Sequence, residues 1–178
     1  MRLAAFLLLL APLLSPLATP AADMRIARDG MVFSVGVRDA EGVTAFYAAR
    51  GFPKAMLDAI GRTCFVGVGI VNERRDTLWL EPAAWRFIGA DGREIARIGR
   101  PEWDRRWAKM NAPLAARATF DWTQLPESRD LQPGEPVAGN VALAAPHGEF
   151  SLSARFRTGG GEAIEIAVPG LRCEGGRR

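Results

Sequence analysis

Met31-Val32-Phe33-Ser34-Val35-Gly36-Val37-Arg38 alternates apolar residues with small or polar ones, the period of a strand with one buried face. The period then changes. Val43, Phe46, Tyr47 and Arg50 recur at helical spacing, and Gly51 followed by apolar Phe52 is a helix stop. Pro53 opens a second run with Met56, Leu57 and Ile60 on one face and Gly61 at its end. Residues 43–61 therefore predict a helical hairpin inserted between strands. The β pattern resumes at 64–71, breaks in the polar turn Asn72-Glu73-Arg74-Arg75-Asp76, and returns at 77–80 and 85–88 around Pro82. Asp91-Gly92 suits a tight hairpin turn, with 94–98 as the return strand.

Pro101 and Glu102 suit a first helical turn, and Asn111 with Pro113 suits a stop, so a short helix is expected near 101–111. Ala118-Thr119-Phe120-Asp121-Trp122 alternates like a short strand, and 125–136 reads as loop. Three further strands are expected at 137–144, 150–156 and 163–168, parted by Pro146-His147-Gly148 and by Thr158-Gly159-Gly160-Gly161. About eight short strands with frequent turns and no βαβ crossover predict a mainly β chain, an antiparallel sandwich.

The first 22 residues follow a different logic. Arg2 precedes an apolar run through Leu14, small residues close the segment at Ala18-Thr19-Pro20-Ala21-Ala22, and the first acid is Asp23. This is the order of a secretory signal cleaved near Ala22, and its apolar run is shorter than the roughly 20 residues that span a bilayer. The expectation is an exported protein, periplasmic or secreted, with residues 23–178 as one domain and no transmembrane segment in the mature chain.

Export changes the reading of the cysteines. Cys64 and Cys173 are the chain's two, and in an oxidising compartment an isolated pair is a structural disulfide. They are too far apart for a Cys-x-x-Cys redox motif. The charge balance is nearly even, with 23 basic and 20 acidic residues, and Arg2 leaves with the leader. Such a balance points to no polyanionic partner, and nucleic acid is not expected.

Several of these motifs occur in a familiar order. Val71-Asn72, a charged turn, Leu78-Trp79-Leu80, Trp85-Arg86-Phe87, Asp91-Gly92, Leu131-Gln132-Pro133-Gly134-Glu135 and Gly139-Asn140-Val141 follow one another over about residues 63–156. This order resembles the secreted immunoglobulin-like (telokin-like) domains of bacteria, where a valine-rich strand ends in Asn and a Leu-x-Pro-Gly-Glu loop precedes a strand. The resemblance implies an immunoglobulin-like antiparallel β-sandwich and no activity, because such sandwiches carry many functions. The 43–61 insertion, the cysteine pair and the Trp-rich 101–110 segment depart from the pattern.

Catalytic chemistry finds little support. The single histidine, His147, lies in a turn, and no serine has a Gly-x-Ser-x-Gly setting. No cofactor fingerprint occurs. A thioether copper site is the alternative function, with His147 and Met110 as its weak candidates. The segment richest in recognition chemistry is 101–111. Trp103, Trp107 and Met110 share one helical face, while Arg105, Arg106 and Lys109 lie toward the other sides. Two readings stand: a helix that caps the sandwich with its indoles, or a Trp/Arg contact patch of Trp103, Arg105, Arg106, Trp107 and Lys109. The leading expectation is a non-enzymatic binding or assembly module of the bacterial periplasm, whose partner is another protein or an envelope component.

Overall fold

The computed structural model describes residues 23–144 and 148–173. The expected leader (1–22) and His147 lie outside the described residues. The chain is mainly β, built as two antiparallel sheets with four α-helices among the described residues.

The first sheet begins with a hairpin. β1 (Met24–Arg28) and β2 (Met31–Val37) are joined by Asp29-Gly30, both at positive φ (49° and 72°), with Arg28 opposite Met31. Two left-handed residues match the twist of the flanking strands. β2 then pairs with β3 (Thr63–Asn72), and β3 with β7 (Pro136–Ala144), giving the order β1-β2-β3-β7. In the second sheet β8 (Glu149–Thr158) is central. β9 (Ala163–Arg172) runs along one side of it, and β5 (Arg86–Gly89) and β4 (Leu78–Leu80) share the other. A 3-10 turn at Pro82–Ala84 separates those two strands, since proline has no N–H to give a ladder. β6 (Arg129–Leu131) closes the edge beyond β4.

Period two decides which side chains face inward. Phe33 and Val35 of β2, Cys64, Val66, Val68 and Ile70 of β3, Leu152 and Phe156 of β8, and Ile164, Ile166 and Val168 of β9 share one buried core between the sheets. Phe33 sits edge-on to both Trp85 and Phe156, at 5.9 Å each. Cys64 and Cys173 are paired with Cα atoms 5.8 Å apart and close a loop of 109 residues. The bond ties β3 of one sheet to the end of β9 in the other.

A second core lies on the opposite face of the first sheet, where Phe65 and Ala142 stand directly opposite one another. On them pack the buried side chains of α1 (Ala40–Ala48), α2 (Lys54–Gly61), α3 (Arg100–Lys109) and α4 (Leu114–Trp122). None of these helices is long and apolar enough to cross a membrane.

The helical hairpin expected at 43–61 starts earlier, at Ala40, because Asp39 caps α1 by accepting from the Glu41 and Gly42 backbone N–H groups. Gly51 (φ 75°) ends that helix as its sequence context predicts. Its N–H donates to the Ala48 carbonyl, the Phe52 N–H donates to the Tyr47 carbonyl, and the Phe52 and Tyr47 rings meet at 4.7 Å. Three expectations are corrected. Residues 118–122 form the end of α4 and no strand: Phe120 is buried while Trp122 is exposed, so the apparent alternation reads a helix sampled over too few residues. Residues 94–98 make only single bridges, Ile88 with Glu94 and Arg97 with Leu143, because the segment turns from β5 toward β7. The 125–136 loop contains β6.

Candidate functional site

Beside α1 the outer face of the first sheet is floored by small residues. Gly36 and Gly67 pair across β2 and β3, and Gly67 pairs with Asn140 across β3 and β7. A Cβ at Gly67 would overlap the Arg38 guanidinium, which lies flat there and reaches Asp23 through two bonds, 3.1 and 3.3 Å. The glycine lets the guanidinium rest on the backbone of the strand. α1 rises from this floor at its Asp39 cap and turns Val43, Phe46 and Tyr47 toward it.

Between them lies an open cleft of about 330 Å³, lined by Arg38, Val43, Phe46, Tyr47, Thr123 and Asn140, with Asp39 and Gly42 at its lip. Its polar side is a closed hydrogen-bond network. The Thr123 hydroxyl donates to the Phe120 carbonyl at 2.6 Å, which leaves Tyr47, 2.5 Å away, as the donor to Thr123 Oγ1. Gln124 Nε2 also donates to Thr123 Oγ1, and Asn140 Nδ2 donates to the Thr123 carbonyl. Burial raises the Tyr47 pKa, so the chain's only tyrosine is a neutral phenol and donor across the physiological range. On the apolar side Phe46 is 38% exposed, with the Arg50 guanidinium over its ring at 3.4 Å. One wall is apolar and the other carries fixed dipoles, an arrangement suited to holding an amphipathic ligand segment.

The 101–111 segment takes the capping role. Trp103 (2% exposed) and Trp107 (0%) stack at 4.8 Å and enclose Phe120, so the expected contact patch is corrected: its two indoles are core residues of the helical layer. The apolar area of the two rings drives their burial, although neither indole N–H has a hydrogen-bond partner. Arg105 and Lys109 remain exposed on α3, whereas Arg106 is partly covered and lies 5.0 Å over the Trp103 ring. Glu102 bonds both Arg106 and Arg105, and these two guanidiniums hold its carboxyl below the usual range. Met110 is partly buried beside Arg62 and Arg106, and two guanidiniums make a poor setting for a cationic metal. Among the described residues no group of three or more His, Cys, Asp or Glu side chains is placed to hold a metal.

An acid pair does converge elsewhere. Asp121 and Glu127 line an enclosed cavity with Arg97, Arg100 and Gln124, but its roughly 20 Å³ admits about one water molecule and no substrate. Glu127 is held by Arg97 at 2.5 Å and by the Arg100 N–H at 2.8 Å. Burial raises its pKa, yet these two partners outweigh burial and leave it lowered; Asp121 stays raised by burial.

Helical spacing marks the element that carries Phe46 and Tyr47 but not the residues that face it across the cleft. Its opposite wall, Thr123 and Asn140, comes from elements far along the chain, and the isolated tyrosine was the one local signal.

No family model matches the chain, and no curated protein matches its sequence. Solved structures with some overlap include the ycdA protein of Bacillus subtilis, at 10% identity over 84% of this chain and 39% of that one, with a TM-score of 0.45. They also include the yjhA protein of Bacillus subtilis, at 9% identity, 73% and 76% coverage and a TM-score of 0.42. The FixG-related protein of Vibrio parahaemolyticus shares 8% identity over 82% of this chain and 98% of its own, with a TM-score of 0.38. Overlaps this loose assign neither a family nor an activity.

Proposed function

We propose that the chain is an exported, non-enzymatic binding or assembly module of the bacterial periplasm that meets another protein or an envelope component in the cleft beside α1. The observation that carries this reading is the cleft's construction: the Arg38 side chain laid over Gly67, an apolar wall of Val43 and Phe46, and an opposing network of Tyr47, Thr123 and Asn140. Among the described residues the converging acids Asp121 and Glu127 border a space for a single water, and Glu127 is held there by Arg97 and the Arg100 N–H.

The scaffold we propose is an immunoglobulin-like sandwich. In its support, β3 lies beside β7, and β8 lies between β9 and the split strand β4/β5, as strands B–E and G–F–C neighbour one another in that fold. Export is supported by the charged, apolar and small-residue order of residues 1–22 and by the paired cysteines.

The test is site-specific photo-cross-linking in the native host. A photoreactive phenylalanine replaces Phe46 in one variant and exposed Ser153, on the outer face of the second sheet, in another. Defined adducts are expected from position 46 and not from 153, and Val43→Glu should abolish them. Equal labelling from both positions, or none from position 46, refutes the cleft as the binding site.

A further inference from the structure

Two of the four exposed large apolar side chains among the described residues lie on α4, where they form a contiguous patch. Leu114 is 79% exposed and Trp122 is 83% exposed. At 100° per residue, Leu114, Ala118 and Trp122 fall within about 80° of arc and form one outward stripe, with exposed Ala115 beside it. None of Leu114, Ala118 and Trp122 lines the cleft beside α1, so the stripe is a separate surface.

Its spacing is symmetric. Leu114 and Trp122 lie four residues either side of Ala118. A two-fold axis requires that whatever residue i meets in the other copy meets i in return. An antiparallel pair of α4 helices centred on Ala118 satisfies this, with Leu114 against the partner's Trp122 twice and two small alanines at the axis where the helices come closest. The charges agree. By the same helical geometry Arg117 and Asp121 both follow one edge of the stripe, and antiparallel pairing sets Arg117 across from the partner's Asp121 on that edge. Within the chain each has only a loose ion pair, Arg117 with Asp104 and Asp121 with Arg100, both at 3.4 Å. Burial raises Asp121, so its carboxylate is under-compensated in the single chain.

We propose that α4 is a self-association surface, and that two copies of this chain form a two-fold dimer through Leu114, Ala118 and Trp122 with reciprocal Arg117–Asp121 pairs. The stripe and its flanks bury on the order of 1,000 Å² in total, at the lower edge of specific interfaces, so the dimer dissociates at roughly micromolar or higher concentrations.

Sedimentation velocity on the mature protein from about 5 to about 500 µM should give a concentration-dependent monomer–dimer equilibrium. Leu114→Ser and Trp122→Ser should each weaken it by about tenfold or more, while far-UV circular dichroism and Tm confirm folding. The decisive arm is a charge pairing. Arg117→Asp alone and Asp121→Arg alone should both stay monomeric, because each sets like charges against themselves. Mixing the two variants should restore a heterodimer. A protein that remains monomeric throughout, or association unaffected by Trp122→Ser, overturns the proposal. So does a monomer that binds phosphatidylcholine vesicles through Trp122, since the stripe is then a membrane contact.

Discussion

Asn72 shows how much one buried polar side chain can organise. It is fully buried at the end of β3. Both Nδ2 hydrogens are used, on the carbonyls of Asp76 and Leu131 at 2.9 Å each, and Oδ1 accepts from the Arg74 N–H at 3.0 Å. One residue thus joins the first sheet, the 72–76 turn and β6 of the second. The turn is continued by Asp76, whose carboxylate binds the Arg74 guanidinium and the Gly160 N–H; the Arg74 bond chiefly holds it below the usual carboxylate range. Asn72→Ala leaves the buried Leu131 carbonyl and the partly buried Asp76 carbonyl without that donor and is expected to cost about 3 kcal/mol in urea denaturation. Asn72→Asp, nearly the same shape, should be no better, because a carboxylate has no hydrogens for those carbonyls. The strand-ending role of Asn72 was legible in the sequence. Its partner Leu131, 59 residues on, was not, because nothing local marks that contact.

Elements were readable where period and cap chemistry agreed. α3 ends with Asn111 at φ 49°, where the Asn111 N–H donates to the Ala108 carbonyl and the Ala112 N–H to Trp107, the stop its sequence announces. The same periodicity put Trp103 and Trp107 on one face but could not say whether that face met solvent or sheet. Amphipathicity reports which residues share a side, and only the rest of the fold decides what covers it. α4 was missed because five residues alternate by chance in a helix that buries one aromatic and exposes another. The seam after α4 was also hidden. Residues 123–125 run beside β7, with the Asn140 N–H donating to the Thr123 carbonyl and the Leu125 N–H to the Asn140 carbonyl. That approach requires Gly139, since a Cβ there would overlap the backbone of Gln124 and Leu125. Gly139→Ala should therefore cost about 2 kcal/mol or more and expose amides 125 and 140 to hydrogen exchange before the rest of β7.

At the scale of the whole molecule the chain is three layers: helices, the first sheet and the second sheet. The mainly β character followed from short strands and turns. The gathering of all four helices on one face did not, because they arrive in two pairs separated by strands β3 to β5. Cys64 and Cys173 span the lower two layers across 109 residues. A cross-link acts largely on the unfolded chain, whose freedom it removes, and the chain-entropy model puts a loop this long at about 4–5 kcal/mol. Cys64→Ala/Cys173→Ala should therefore lose more stability in guanidinium unfolding than either single substitution above, with a larger m-value as the unfolded state expands. The folded state should keep its shape, because both sheets retain their shared core and Phe65 and Ala142 still anchor the helices. Below the unfolding transition, photo-cross-linking from position 46 should persist in the double variant. A large loss of stability without loss of the cleft would identify the disulfide as a restraint on the unfolded chain; loss of both together would mean that the bond also holds the two sheets in register.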